Sequence, residues 1–323
     1  MRAPEFWQQR AAGRGNLAAA CLAPAGWLFA AGGWLRHKLS RPRRVDVPVI
    51  CVGNLVAGGA GKTPTVLALA ALLEEMHPHV LTRGYPGKRR GPLWVDRSRH
   101  SVADVGDEAL LLSRHLPTII ARNRVAGAIT AANAGAGLVL MDDGFQNPSL
   151  VKDIALLVVD TGQSFGNGRC IPAGPLREPV ARGLARADAI VLIGDGPFQA
   201  PARLPVFAAS IQPECEASHW AGRRVVAFAG IGRPQKFFDT LTTLGAEVVS
   251  RHAFADHHVY SEAELQHLKQ ALPTGASLVT TEKDYVRLPR TWQAEVETLP
   301  VALQFEDPAA VSGWLHARLE AVS

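Results

Sequence analysis

The sequence predicts an α/β protein: a doubly wound, mostly parallel sheet of the P-loop type, a second and smaller α/β lobe, and a hydrophobic helix ahead of both. Three observations carry this expectation. From residue 45 onward, short apolar runs alternate with helical stretches, the pattern of strands joined by crossover helices. The first run is followed by a glycine-rich loop ending in Gly61-Lys62-Thr63, a shape that lets backbone amides face an anion at a helix start. Residues 17–35 form an uncharged, largely apolar segment of nineteen residues, about the length that crosses a bilayer.

The N-terminal segment reads LAAACLAPAGWLFAAGGWL and is preceded by Arg10 and Arg14. It is followed by five Lys/Arg in the nine residues 36–44. A basic cluster stands where a signal peptide would have its small-residue cleavage site. Three placements fit the segment: a buried core helix, a spanning helix, or an interfacial anchor in one leaflet. Pro24, Gly26, Gly32 and Gly33 weaken a full span without excluding it. Trp27, Trp34 and the basic cluster favour membrane attachment, by a spanning or a one-leaflet helix alike, with everything after Arg36 in the cytosol. The net charge of +5 is mild, and no nucleic-acid module or aromatic-basic interleaving accompanies it, so no nucleic-acid partner is expected. No obligate protein partner is expected either.

Strands are predicted over 47–55, 79–82, 117–121, 138–141, 154–160 and 189–193, with helices over 65–76, opened by Pro64, and 124–134. After a Pro/Ala-rich stretch at 194–205, a second series begins: a strand over 225–229, a helix over 234–244 stopped by Gly245, a strand over 247–250, a helix over 261–271, and strands over 277–280 and 301–305. The predicted division is 1–44 for the anchor and basic cluster, 45–210 for the nucleotide-binding domain, and 211–323 for the smaller domain. A length of 323 residues with 47% hydrophobic and 20% charged residues excludes wholesale disorder and fibrous repeats. The four cysteines, Cys21, Cys51, Cys170 and Cys215, contain no CxxC pair, which argues against a disulfide framework or a structural zinc site.

The loop 53–63, Gly-Asn-Leu-Val-Ala-Gly-Gly-Ala-Gly-Lys-Thr, is the strongest local signal. Lys62 is placed to reach nucleotide β- and γ-phosphates, and Thr63 to ligate Mg²⁺. Val56 stands where the usual phosphate-loop pattern has glycine. Ala57 replaces the first lysine of the KGGxGKT ATPases, and Thr281-Glu282-Lys283-Asp284 does not match the guanine-reading NKxD string, so ATP is the expected nucleotide. Residues 138–146 form an apolar strand ending in Asp142-Asp143, the place from which a P-loop protein holds Mg²⁺. Asp107 and Glu108 open an apolar helix and are explained equally by satisfying free amides there. His252, Asp256, His257 and His258 fit a metal site, a proton relay or a surface loop. The polar loop 166–179, with Arg177 and Glu178, has the length of a functional loop.

Taken together, VGNLVAGGAGKTP (52–64), TRGY (82–85), GDEA (106–109), MDDGFQ (141–146), AGPLREP (173–179), GIGRP (230–234), FADHH (254–258) and TEKD (281–284) resemble the tetraacyldisaccharide 4′-kinase family. They run in order over nearly the whole chain. The resemblance implies two α/β lobes with ATP and Mg²⁺ between them. It implies transfer of the ATP γ-phosphate to the 4′-hydroxyl of a tetraacylated glucosamine disaccharide 1-phosphate, a lipid A precursor. It implies a protein peripheral to, or anchored in, the cytoplasmic face of the bacterial inner membrane, where this acylated glycolipid is the partner. It carries a catalytic pair onto Asp107 and His257, with Asp107 accepting the hydroxyl proton and His257 orienting or relaying. His258, directly after it, leaves the choice of imidazole open. ATP binding falls on Val56, Ala57, Gly58, Gly59, Ala60, Gly61, Lys62 and Thr63. Metal ligation falls on Thr63, Asp142, Asp143 and Glu178, and the active-site wall on Arg83, Tyr85 and Glu108. Two other readings compete: a P-loop ATPase switch or metallochaperone using the histidines for metal storage, and a membrane metallophosphoesterase using the DHH string, which leaves Lys62 without a purpose.

Overall fold

A computed structural model describes residues 4–7 and 16–321; Arg10 and Arg14 lie outside the described residues. The elements in order are α1 Asn16–Leu39, β1 Val49–Gly53, α2 Lys62–Leu72, β2 Pro78–Thr82, β3 Leu93–Trp94, α3 Val102–Val105, α4 Asp107–Leu112, β4 Thr118–Ile120, α5 Arg124–Asn133, β5 Leu138–Asp142 and β6 Ile154–Asp160. They continue with α6 Val180–Arg186, β7 Ala189–Ile193, β8 Val206–Pro213, β9 Arg224–Ala229, α7 Pro234–Thr243, β10 Glu247–Ala253 and α8 Glu262–Gln270. The last are β11 Ala276–Thr281, α9 Glu282–Tyr285, β12 Val296–Leu299, β13 Val301–Phe305 and α10 Pro308–Glu320.

The large sheet has nine strands in the order β13-β8-β7-β6-β1-β5-β2-β4-β3. All its pairings are parallel except β13 on β8 and β3 on β4, at the two edges. Its central strands are apolar throughout because both faces are covered. In β1, Val49 and Cys51 feed one core while Ile50 and Val52 feed the other. The second sheet has four parallel strands in the order β10-β9-β11-β12. Its own cores gather around Trp220, Phe237 and Phe238 on one face and Phe228, Tyr260 and Trp292 on the other.

Three expectations are corrected here. Residues 206–213, placed at the domain boundary, are strand β8 of the large sheet. Residues 301–305, assigned to the smaller domain, pair antiparallel with β8. Helix α10 packs Val311, Leu315 and Leu319 into the same core as Ile50 and Val52. The chain thus leaves the large sheet for β9–β12 and returns to it, so 211–323 is not one continuous lobe. Helix α1 runs unbroken through Pro24. Leu17, Trp27, Leu28 and Leu39 are each more than 70% exposed, which removes the core-helix placement. It is the one described helix long and apolar enough to cross a membrane.

Candidate active site

The site sits where a parallel sheet ordinarily binds ligands, outside the carboxyl ends of its strands. The register sets Val52 of β1 beside Asp142 of β5 and Leu81 of β2 beside Met141. The loops after β1, β2 and β5 therefore open on one edge. The phosphate loop leaves β1 at Gly53 and enters α2 at Lys62. No side chain caps the N-terminus of α2, so its first amides are free for an anion. Gly61 has φ 81°, a left-handed conformation that glycine adopts without strain. Lys62 is buried, with Nζ 3.3 Å from Asn54 Oδ1 and 3.7 Å from Asp143 Oδ1. The loop 173–177 braces the phosphate loop. Ala57 N donates to Pro175 O at 2.8 Å, Arg177 N donates to Leu55 O at 2.7 Å, and Val56 forms an isolated bridge with Leu176. Open space surrounds Gly59.

The paired aspartates differ sharply. Asp142 is fully buried, and neither carboxylate oxygen has a partner. Burial, and next the charge of Glu108, push its carboxyl up to about 7. Asp143, at φ 51°, accepts from Arg177 Nη1 at 2.8 and 3.0 Å. Burial opposes its charge, but Lys62 and Arg177 outweigh that and hold it below the usual carboxylate range. The Glu178 carboxylate is taken by Arg186 Nη2, at 2.6 Å to each oxygen, and by Gln146 at 3.1 Å. Thr63 is half-buried in the first turn of α2. Among the described residues, no three His, Cys, Asp or Glu side chains gather to hold a metal. A Mg²⁺ that keeps its waters and nucleotide phosphates needs only one or two protein carboxylates. The orphaned oxygens of Asp142, beside Lys62, fit that role. Asp143 and Glu178 are each committed to an arginine here.

Asp107 and His257 meet although 150 residues separate them. Asp107 opens α4 from the large-sheet side, and His257 follows β10 in the other sheet. His257 Nδ1 lies 2.9 Å from Asp107 Oδ2. His258 instead pairs with Glu264 at 3.1 Å and stacks on Phe254, and His252 bonds Ser250. The three histidines thus do not converge. Capping explains only one Asp107 oxygen, since Oδ1 accepts from Glu108 N at 3.0 Å. Burial works against the Asp107 charge, but the hydrogen bond from His257 and the charges of Lys283 and Arg287 prevail and hold it well below the carboxylate range. Asp107 is only 1% exposed, against 33% for the His257 side chain. The exposed member of the pair is therefore the imidazole, whose Nδ1 is taken up by Asp107. Glu108 reaches Lys283 at 3.2 Å. The ring of the exposed Tyr85 stands perpendicular to that of His257, centroids 6.5 Å apart. Arg83 is exposed on the same loop.

Sequence reasoning missed Arg287, Arg124 and Asn54. Arg287 is buried against Asp107 and Asp284. Arg124 is buried beneath the aspartates, where burial, and next the charge of Arg83, lower its guanidinium to about 10. Asn54 is fully buried against Lys62 with its amide nitrogen unpartnered. The GNLVAGG string could have flagged Asn54, but no local signal marks either arginine.

A glycine-rich loop and buried lysine at the carboxyl ends of a parallel sheet, with an Asp–His pair brought together from the two sheets' connections, form the arrangement of a P-loop phosphotransferase. The family model for tetraacyldisaccharide-1-P 4′-kinase matches residues 18–320, and the chain belongs to that family. It is 50% identical over 323 residues to the tetraacyldisaccharide 4′-kinase of Rhodospirillum rubrum, covering 96% of each chain. It is 51% identical over 328 residues to that of Methylorubrum extorquens strain PA1, covering 98% of each. Among solved structures it resembles the LpxK of Aquifex aeolicus, an "apo" form in complex with ATP, with TM-score 0.80 and 28% identity, over 94% of this chain and 100% of that one.

Proposed function

We propose that this chain transfers the γ-phosphate of ATP to the 4′-hydroxyl of a tetraacylated glucosamine disaccharide 1-phosphate. The observation that carries the reading is the Asp107–His257 pair, drawn together across 150 residues in a chain of the kinase family that also carries a phosphate loop. The loop Val56–Thr63 cradles the triphosphate, with Lys62 on its terminal phosphates. Asp142 and Thr63 would hold Mg²⁺, and Asp143 and Glu178 would join them only on release from Arg177 and Arg186. When bound, the ion offsets the charge on the β- and γ-phosphates.

A sugar hydroxyl is a weak nucleophile, and phosphoryl transfer depends on positioning and charge neutralisation. An ionised Asp107 can only accept hydrogen bonds, so His257 Nδ1 carries the proton between them and Nε2 offers its lone pair. Nε2 takes the hydroxyl proton as the sugar oxygen bonds to phosphorus, and ADP leaves. Asp107 stays ionised and steadies the imidazolium. Arg83, Tyr85 and Glu108 wall the acceptor side.

The membrane placement follows from α1. Its exposed Trp27, Leu28 and Phe29 enter the bilayer, and the exposed Lys38, Arg41 and Arg43 meet anionic headgroups on the cytoplasmic face, while Arg36 and Arg44 tie the segment to Gln146 O and Asp153. The cleft then rests at the leaflet that holds the glycolipid. Functionally we divide the chain into the anchor (1–44), a nucleotide lobe built on the large sheet, and a lobe of β9–β12 that brings His257. The test is incubation with γ-labelled ATP and the tetraacyldisaccharide 1-phosphate. Label at the 4′ position supports the reading, whereas ATP hydrolysis without labelled lipid would favour an ATPase.

A further inference from the structure

Arg287 grips both halves of the Asp–His pair at once. It lies on the turn after α9 and is 1% exposed at its side chain. Its Nε donates to Asp107 Oδ2 at 2.8 Å, and its Nη2 donates to the same oxygen. Its Nη1 donates to Gly230 O at 2.7 Å and to Asp284 Oδ1 at 2.9 Å. Gly230 O also accepts from His257 N at 3.1 Å. That backbone amide belongs to the residue carrying the imidazole, held at φ 59°, a conformation non-glycine residues rarely adopt without support. One guanidinium therefore fixes the carboxylate from the first lobe and, through one carbonyl, the backbone of the histidine from the second. Asp284 anchors the far side of this clamp. Its Oδ1 accepts from Gly230 N at 3.0 Å and Tyr260 Oη at 2.9 Å, and its Oδ2 accepts from Thr281 Oγ1 at 2.7 Å.

We infer that Arg287 is a positioning residue for phosphoryl transfer, setting both the geometry of the Asp107–His257 pair across the lobes and the basicity of the imidazole. The inference rests on the kinase reading above. Arg287 never faces the cleft and acts only through the pair. The planar fork is what the arrangement demands, because one group donates in two directions, to a carboxylate and to a carbonyl. Its charge also offsets that of Asp107, so the imidazole feels less than a full opposite charge. The other groups facing the imidazole are Asp256, with Oδ2 3.9 Å from Nε2, and the ring of Tyr85. Lys283, paired with Glu108, acts on Asp107 from α9. None of these replaces the guanidinium on Oδ2.

The test uses the full chain with Arg287→Lys and Arg287→Met, read by kcat, by KM for ATP, and by the His257 titration followed through its imidazole NMR signals. Arg287→Lys keeps the charge but loses the fork. Its kcat should fall about 10-fold or more with little change in KM for ATP, the order of a lost positioning contact. Arg287→Met leaves Asp107 uncompensated. The imidazole signals should then respond at higher pH than in the wild type, and the acidic limb of the kcat profile should move with them. If Arg287→Met does not fold, Arg287→Lys in an Asp107→Asn background decides. With Asp107 no longer a carboxylate, the lysine substitution should cost less kcat than it does in the wild-type background, because only the Gly230 arm remains to be lost. Wild-type kcat in Arg287→Lys, an unmoved titration in folded Arg287→Met, or an undiminished loss in the Asp107→Asn background would each overturn the inference. The NMR titration reads the clamp even in a protein that phosphorylates nothing, so failure of the kinase reading and failure of this one are separable.

Discussion

Asp142 is a fully buried carboxylate without a partner, and its charge costs stability. Its carboxyl is pushed up to about 7 in the folded protein but titrates near about 4 in an unfolded chain. Between those values the native state holds a proton that the unfolded state has lost. Stability of the ligand-free protein therefore falls as pH rises through this window and stays low above it. Three units correspond to about 4 kcal/mol as an upper bound, at roughly 1.4 kcal/mol per unit. Asp142→Asn removes the charge but leaves a buried amide without partners, costing about 1–3 kcal/mol. The balance at pH 8 is a gain of about 1–3 kcal/mol, a rise in Tm of several degrees, alongside loss of activity. Below about pH 5, where the wild-type carboxyl is protonated, the advantage disappears. The assay is thermal unfolding of both proteins in chelator from pH 5 to 8. A variant equally destabilised at both ends would refute the argument, because it would mean that Asp142 carries no unpaired charge. Added Mg²⁺ and ATP should stabilise the wild type at pH 8 far more than the variant.

Two further outcomes follow from the same geometry. Lys62→Ala should fold normally yet lose at least about 100-fold in phosphoryl transfer, the order of one lost electrostatic clamp; a folded variant with retained turnover would remove the phosphate-loop assignment. Deleting residues 1–36 should move the protein from membrane to soluble fractions and lower activity on bilayer-presented substrate, whereas a truncated chain that still sediments with membranes would place the attachment elsewhere.

The parts legible in the sequence were those fixed by local physics. Strands β1, β5 and β6 read as unbroken apolar runs because the sheet buries both of their faces. The phosphate loop was legible because its glycines and lysine answer to backbone geometry within a few residues. β8 was not legible, since most of its residues are only partly buried and its sequence is interrupted by Ala, Ser and Gln. The return of β13 was not legible either, because which edge a strand joins depends on the whole topology. Arg287 illustrates the limit best. Its role arises from a partner 180 residues away, and a lone arginine four residues after Lys283 announces nothing. Asp107 looked like a helix-start residue, and one of its oxygens does serve that purpose; the other became visible only once the second lobe stood opposite.

We propose that Asp107 and His257 act as one unit on the acceptor hydroxyl, and a double-mutant cycle on kcat decides whether they do. Groups that work as a unit lose their effects together. Asp107→Ala and His257→Ala should each lower kcat by roughly two to four decades, in line with losing a general base. The double variant should be little worse than the poorer single one, and ATP affinity should change far less. Losses that multiply in the double variant would contradict the account, as would near-wild-type kcat in His257→Ala with collapse in His258→Ala.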